Sequence, residues 1–382
     1  MKKKLFYIVN HASFFVSHRL PIAIEANKNN YEVFIIFGKP SSEKTEPEAI
    51  KKILNSNIKF IKVNINNQKI FRIFDLIGLI QIIYLMIKYK PQIVHSISPI
   101  ANIISSIAII FFKNISYIIS ISGMGYIFTG KNFLKKFFVF IYLFIFNNIA
   151  KKNKLMIIVQ NNDDYKYFTQ KFNLINKIIL IQGSGVNLSL YKDVNFLNKK
   201  KIILLPARII KEKGIYEFIE ASKRIYKINK NWKFIIVGQD DYKSPSAINL
   251  KQLFDNGISS FIYKGYIEEL SKTFIESSIV CLPSYREGMP KVLLEASAAG
   301  CAIITSDTIG CRDSIIDGFS GELVKLKDIN NLTDTILKFI EDKKLREKYG
   351  KNAREYAFNN YSIDMVIEKH LNIYKKFNEE KK

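Results

Sequence analysis

The chain has 382 residues and 48% hydrophobic content, enough for two domains, each with its own core. Its net charge of +24 comes from 50 Lys and only 8 Arg. Proteins that read base edges depend on Arg, so this balance argues against a nucleic-acid reader and fits an AT-rich genome. Cys281, Cys301 and Cys311 show neither metal-ligand spacing nor a disulfide framework, which argues against a small secreted scaffold.

In chain order, apolar runs alternate with helical patterns. Leu5–Val9, Val33–Phe37, Phe60–Val63, Ile93–His95, Tyr117–Ile121 and Leu155–Val159 read as strands. Arg19–Lys28, Phe71–Lys90, Ala101–Phe112 and Phe133–Ala150 read as helices between them. Such alternation implies a parallel sheet covered on both faces. Gln182-Gly-Ser-Gly-Val-Asn187 reads as an interdomain linker. A second series follows, with strands at Ile202–Pro206, Lys233–Val237, Ser260–Tyr263, Ile279–Leu282 and Ala302–Thr305, and a last helix at about Ile363–Phe377. The expected boundaries are 1–183, 184–360 and a C-terminal helical segment 361–382.

The start of the chain has only a five-residue apolar run, short of a signal peptide, and no tract reaches the roughly 20 residues that span a bilayer. A reducing, cytoplasmic location is expected. Residues 1–190 carry 25 Lys+Arg against 8 Asp+Glu, and Lys131–Phe146 is basic and rich in aromatics. Such a segment can lie on the inner face of an anionic membrane, although solvated lysines and a core helix are the alternative reading.

The densest chemistry lies in Ser284-Tyr-Arg-Glu-Gly-Met-Pro-Lys-Val-Leu-Leu-Glu-Ala-Ser-Ala-Ala-Gly300. Glu287 follows an apolar strand at the end where α/β sheets bind ligands. Gly288, Met289 and Pro290 lead into a helix whose start suits an anion, and Glu295 lies two turns beyond Glu287 on the same helix face. Arg208 and Lys213 follow the strand Ile202–Pro206, with Gly214 opening the next helix. A planar guanidinium and a fixed ammonium are apt partners for a diphosphate. Arg286 and Arg312 lie beside these blocks.

These residues resemble the Glu-x7-Glu motif of the retaining family-4 glycosyltransferases of GT-B fold. Pro206-Ala-Arg-Ile-Ile-Lys-Glu-Lys-Gly214, Ile235-Ile-Val-Gly238, Lys264-Gly-Tyr-Ile267 and Asp317-Gly-Phe-Ser-Gly-Glu-Leu-Val324 fall in that family's order. The resemblance implies two Rossmann-like, doubly wound α/β domains facing a central cleft, with the final helix crossing back to the first domain. It assigns Arg208, Lys213 and Glu287 to catalysis. It gives Gly214, Gly238, Ile267, Gly288, Met289, Pro290 and Glu295 to the donor. No Asp-x-Asp lies in a suitable loop, and Asp163-Asp164 and Asp240-Asp241 are adjacent pairs whose side chains diverge, so no metal or other cofactor is expected.

In the N-terminal half, Asn10-His-Ala-Ser-Phe-Phe-Val-Ser-His-Arg-Leu-Pro21 is similar to segments of bacterial enzymes that extend undecaprenyl-diphosphate-linked sugars. His18 and Arg19, expected to begin a helix, fall to the acceptor, as do Ser122 and Gly123. Two departures stand out. His-Ala-Ser-Phe-Phe replaces the family's Gly-Gly loop, and Ser122-Gly-Met-Gly125 replaces a loop with a catalytic-region His. The latter is similar to the Gly-Leu-Gly of relatives that add N-acetylhexosamine. The implied partners are a UDP-sugar donor, a lipid-linked saccharide acceptor and the inner membrane face, with no nucleic acid. The alternatives are a UDP-sugar 2-epimerase of the same fold, for which the second half supplies no His before His370, and a non-catalytic basic membrane-binding protein.

Overall fold

The computed structural model describes residues 2–39, 45–65, 73–123, 133–242, 244–249 and 260–379. It divides into two compact units, Met1–Ser184 with Asp364–Lys382, and Gly185–Ile363.

The first unit is a seven-stranded sheet. Its strands are β1 (Lys3–Val9), β2 (Tyr31–Phe37), β3 (Lys59–Lys62), β4 (Ile93–Ile97), β5 (Ser116–Ile121), β6 (Leu155–Val159) and β7 (Ile178–Leu180), in the order β3-β2-β1-β4-β5-β6-β7. All neighbours pair in parallel. Parallel strands are covered on both faces, which is why they read as unbroken Ile/Val/Phe runs. One face is covered by α4 (Ile73–Tyr89), α5 (Pro99–Ile109), α6 (Phe133–Ala150) and α7 (Asn162–Phe172). The other carries α1 (Ala12–His18), α2 (Leu20–Lys28) and α3 (Glu46–Asn55), joined by the C-terminal helix Ile363–Glu379. That helix sends Val366, Leu371, Ile373, Tyr374 and Phe377 into this core.

The second unit is a six-stranded parallel sheet: β8 (Lys200–Pro206), β9 (Lys233–Val237), β10 (Phe261–Tyr263), β11 (Ser277–Leu282), β12 (Ala302–Ser306) and β13 (Gly321–Val324). Their order is β10-β9-β8-β11-β12-β13. Its helices are α8 (Ile215–Ile228), α9 (Ser271–Glu276), α10 (Lys291–Ala298), α11 (Ile329–Glu341) and α12 (Lys343–Asn360). In both sheets the chain starts centrally, winds one way, then reverses. The reversal falls between β1 and β4 and between β8 and β11, and the loops leaving such a pair diverge and open a crevice.

In the second unit the sequence reading gives no bounds for Ser271–Glu276, Gly321–Val324, Ile329–Glu341 and Lys343–Asn360, and in the first it misses four elements. Ala12–His18 is a helix rather than a loop, so His18 ends one helix and Arg19 is the junction to the next, correcting the expectation that both residues begin a helix. Glu46–Asn55, Asn162–Phe172 and the short strand Ile178–Leu180 are the others. The expected starts at Phe71 and Lys131, and Met124-Gly125 of the glycine loop, lie outside the described residues.

Candidate active site

The two strands flanking the reversal in the second sheet each end in a polar loop. From β8 the chain runs through Ala207–Ile210 into a 3-10 turn, Lys211–Lys213. Gly214 then takes φ +72 and starts α8. A Cβ on Gly214 would stand 2.2 Å from the Pro283 carbonyl oxygen, so only glycine lets the β8 loop lie this close to the end of β11. From β11 the chain passes through Pro283–Pro290 into α10.

The two loops are stitched together. Tyr285 N–H donates to the Glu212 carbonyl at 2.8 Å. The Ser284 hydroxyl stands 2.9 Å from that carbonyl and 2.7 Å from Glu287 Oε1, two acceptors for one hydrogen. Tyr285 Oη donates to Glu217 Oε1 at 2.6 Å, anchoring the loop on the first turn of α8. The consequence is that Lys213 Nζ meets Glu287 Oε1 directly. These side chains are 18% and 13% exposed. They are partly desolvated, so their attraction is stronger than for a pair in open water.

Glu287 is also fixed from behind. Its N–H donates to the Ile309 carbonyl at 3.0 Å, and Gly310 turns beneath it with φ +79. A Cβ on Gly310 would stand 2.4 Å from the Glu287 carbonyl oxygen and 2.5 Å from that of Gly288. Gly310 was not singled out by sequence, and nothing in its local context marks it.

Arg208 lies apart from this pair. It is 55% exposed and donates from Nη1 to Asp241 Oδ2 at 2.8 Å. Asp241 is the residue that the sequence does not mark: the pair Asp240-Asp241 reads there only as diverging carboxylates. The two carboxylates do diverge, in a turn closed by Ser244 N–H on the Asp241 carbonyl. Asp240 accepts from Tyr242 and Tyr263, and Asp241 takes Arg208.

The remaining expected donor residues surround these loops. Gly238 ends β9, where a Cβ would run into the Ala207 carbonyl oxygen, and its N–H donates to the Gly265 carbonyl at 2.9 Å. Ile267 is partly buried against the second core. Gly288 and Met289 are buried, and Pro290 is the residue before α10. Glu295 sits in the second turn of α10, whereas Glu287 precedes the helix, so the two do not share a helix face as expected. Burial pushes the Glu295 carboxyl up, and Lys291, 3.5 Å away, pulls it partly back. Arg312 is taken up by Asp307 at 2.7 Å.

Of the expected acceptor residues in the first unit, Arg19 and Gly123 are buried and His18 and Ser122 are partly exposed. His18 stacks on Phe14 with ring centroids 4.3 Å apart, and its Nδ1 is 3.1 Å from the Phe14 carbonyl. Arg19 is only 1% exposed. Its Nη1 donates to the His18 carbonyl at 2.9 Å and reaches Ser184 Oγ at 3.5 Å, while Nε has no partner among the described residues. Among the described residues no carboxylate forms an ion pair with it. A buried guanidinium without a counter-charge is costly, and burial lowers its proton affinity. Ser122 and Gly123 follow β5, and the buried Ser122 Oγ has no partner among the described residues. Beside them, Ser98 at the end of β4 takes φ 86, ψ 150, a strained conformation for a residue with a Cβ. His95 is fully buried. Among the described residues, no group of three or more His, Cys, Asp or Glu could hold a metal ion.

Residues 188–356 match the family described as Glycosyl transferases group 1, and residues 4–161 match Glycosyl transferase 4-like. The chain is 32% identical over 213 residues to the N,N'-diacetylbacillosaminyl-diphospho-undecaprenol alpha-1,3-N-acetylgalactosaminyltransferase of Campylobacter jejuni. That match spans 52% of this chain and about half, 54%, of the relative. It is 24% identical to the UDP-Gal:alpha-D-GlcNAc-diphosphoundecaprenol alpha-1,3-galactosyltransferase of Escherichia coli, over 78% of this chain and 79% of the other. Among solved structures, the sucrose-phosphate synthase of Thermosynechococcus elongatus superposes with a TM-score of 0.77 at 17% identity, covering 98% of this chain and 99% of that one.

Proposed function

Because the chain belongs to the group 1 and 4-like glycosyltransferases of GT-B fold, we propose that it moves a sugar, an N-acetylhexosamine, from a UDP-sugar to a lipid-diphosphate-linked saccharide. The pathway is surface polysaccharide or glycoprotein glycan assembly. The reaction retains anomeric configuration and uses no metal. The observation that carries this reading is the meeting of Lys213 with Glu287 across the β8/β11 reversal. The Escherichia coli relative is named for a UDP-sugar donor, and both relatives are named for undecaprenol-diphosphate-linked substrates.

In this reading each residue has a task. Lys213 has three N–H donors and spends one on Glu287, leaving two for the donor diphosphate. Arg208 approaches the same phosphates by leaving Asp241, at a cost held down by the guanidinium's own 55% exposure. Both bonds found at Glu287 fall on Oε1, so Oε2 is available to the donor-sugar hydroxyls beside the reacting carbon. Glu295 takes the ribose. The bond from the anomeric carbon to the diphosphate oxygen breaks while the acceptor oxygen bonds to that carbon from the same face. The acceptor proton passes to the departing phosphate. Fixed cations near that phosphate stabilise its growing charge. In the first unit, Arg19 supplies the counter-charge for the acceptor diphosphate, with Ser122 and Gly123 lining the acceptor sugar.

The test is UDP release from a panel of UDP- and GDP-sugars, with membranes containing lipid-linked acceptors and EDTA present. The expected result is turnover with one UDP-N-acetylhexosamine, unchanged by EDTA. A loss of more than about a hundredfold in kcat is expected for Glu287→Gln, as for removal of a group acting on developing charge. Full activity in that variant, or loss on EDTA, overturns the assignment.

A further inference from the structure

From Leu76 to Asn162 the sequence holds no Asp or Glu and nine Lys. This stretch contains α4, α5 and α6, which lie side by side on one face of the first sheet with α5 in the middle. Their inner sides are ordinary core. Ile82, Leu85 and Met86 of α4, Ile103, Ile104 and Ala108 of α5, and Tyr142, Phe146 and Ile149 of α6 are buried together.

Their outer sides carry large exposed apolar residues, densest on α4, with Asn147 and Asn148 exposed near the end of α6. On α4, Leu76, Ile77, Ile80, Tyr84 and Ile87 are each between 41% and 60% exposed. At about 100° per residue these five fall within an arc of roughly 100°, a continuous apolar stripe. Phe111 just beyond α5 is 70% exposed, and Phe140 and Phe144 of α6 are 66% and 62% exposed and stack on each other. A water-facing helix side ordinarily carries charges, and a large apolar patch at a surface marks something that covers it. Exposed Lys88, Lys90, Lys113 and Lys151 stand at the carboxyl ends of these three helices. Lys88 lies over the Tyr84 and Tyr89 rings, with its stem along the stripe and its charge at the edge.

We propose that the outer face of α4–α5–α6 is a docking surface for an anionic lipid bilayer, with α4 as its principal insertion element. The absence of any carboxylate over these 87 positions selects the partner. An acid-free, lysine-edged apolar face is complementary to negatively charged headgroups above acyl chains. Among the described residues no helix is long and apolar enough to cross a membrane, so the face lies on the bilayer. The inference takes its biological purpose from the lipid-borne acceptor proposed above, but its support is surface chemistry alone. Its test uses vesicles without acceptor, so either reading can fail without the other.

The full chain is floated with phosphatidylcholine vesicles, with and without phosphatidylglycerol, at low and high salt. Flotation with the anionic vesicles, weakened by salt, is expected for the native chain. The double variant Ile80→Glu/Tyr84→Glu should lose binding by about tenfold or more while keeping its circular dichroism and UDP affinity. Lys88→Glu/Lys90→Glu should bind more weakly and with a shallower salt dependence. Three results would overturn the proposal: no flotation of the native chain, flotation of the Ile80/Tyr84 variant equal to native, or a native dimer that this variant splits while vesicle binding is unchanged. The last would make the face a contact between two copies.

Discussion

Asp241 and Gly310 do most to shape the second-unit site, and neither carries a functional signal in the sequence. Asp241 holds Arg208 at 2.8 Å, so a donor diphosphate must compete with a carboxylate for that guanidinium. Asp241→Asn removes the competitor and its repulsion of phosphate. Because Arg208 is 55% exposed, although Asp241 is only 15% exposed, the effect is modest: UDP should bind about two- to fivefold more tightly by calorimetry, and a weakened affinity would mean that Asp241 orients Arg208 instead. Gly310 is less forgiving. Gly310→Ala places a methyl against the carbonyls of Glu287 and Gly288 in a backbone conformation that a Cβ disfavours. UDP-sugar turnover should fall at least about tenfold while circular dichroism stays native, because a shift of even a few tenths of an ångström at Glu287 moves a positioned group. Lys213 and Glu287 were legible in the sequence as motif members. Their contact was not, since it depends on two loops 74 positions apart being stitched by Ser284 and Tyr285.

At the level of elements, most strands were readable because a buried parallel strand has no polar side to break its apolar run. Phe133–Ala150 and Lys233–Val237 match their expected bounds. Ala12–His18 escaped notice because ASFFVSH has no helical charge pattern. What makes it a helix is tertiary: Glu46 from α3 accepts the Ala12 and Ser13 N–H groups at 2.8 and 3.1 Å, and His11 Nδ1 accepts from Phe14 N–H. The junction of β1, β4 and the C-terminal helix has its own electrostatics. Tyr374 Oη stands 2.6 Å from Tyr7 Oη and 2.9 Å from His95 Nδ1, while His95 Nε2 faces Ser120 Oγ at 2.7 Å. His370 Nδ1 donates to the Val366 carbonyl at 2.7 Å, and its Nε2 has no partner among the described residues. Burial pushes His370 down to about 3 and His95 well below its ordinary range, each opposed further by neighbouring positive charge. Both are therefore neutral in the fold and protonated in the unfolded chain below about pH 6.5. The contribution to stability is full above that pH and is lost as the pH falls. Through His370 the first unit should lose roughly 1.4 kcal/mol per pH unit between about pH 6 and 4, and His95 should steepen that loss. Urea unfolding by circular dichroism measures this, with Trp232 fluorescence reporting the second unit separately. His370→Leu should make the slope shallower.

Across the whole molecule, the second unit is an insertion in the first, since Gly185–Ile363 lies between Ser184 and Asp364. Its two ends are neighbours. Val186 N–H donates to the Tyr361 carbonyl at 2.7 Å, and Ile363 N–H returns to the Val186 carbonyl at 2.9 Å. With its own cores and adjoining ends, residues 185–363 expressed alone should fold, show a buried Trp232, and bind UDP within about tenfold of the full chain. An unfolded product by circular dichroism would show that the unit depends on the rest. The same topology sets an order of events on the ribosome. Every strand of the first unit emerges early, yet Tyr7 and His95 wait for Tyr374 to complete their bonding, and the whole inserted unit is made in between. The nascent first unit thus spends the translation of 179 residues with that face of its sheet covered by α1–α3 alone, and the C-terminal helix completes it last. A product stalled before that helix would leave Tyr7 and the apolar residues around it open to chaperones and proteases.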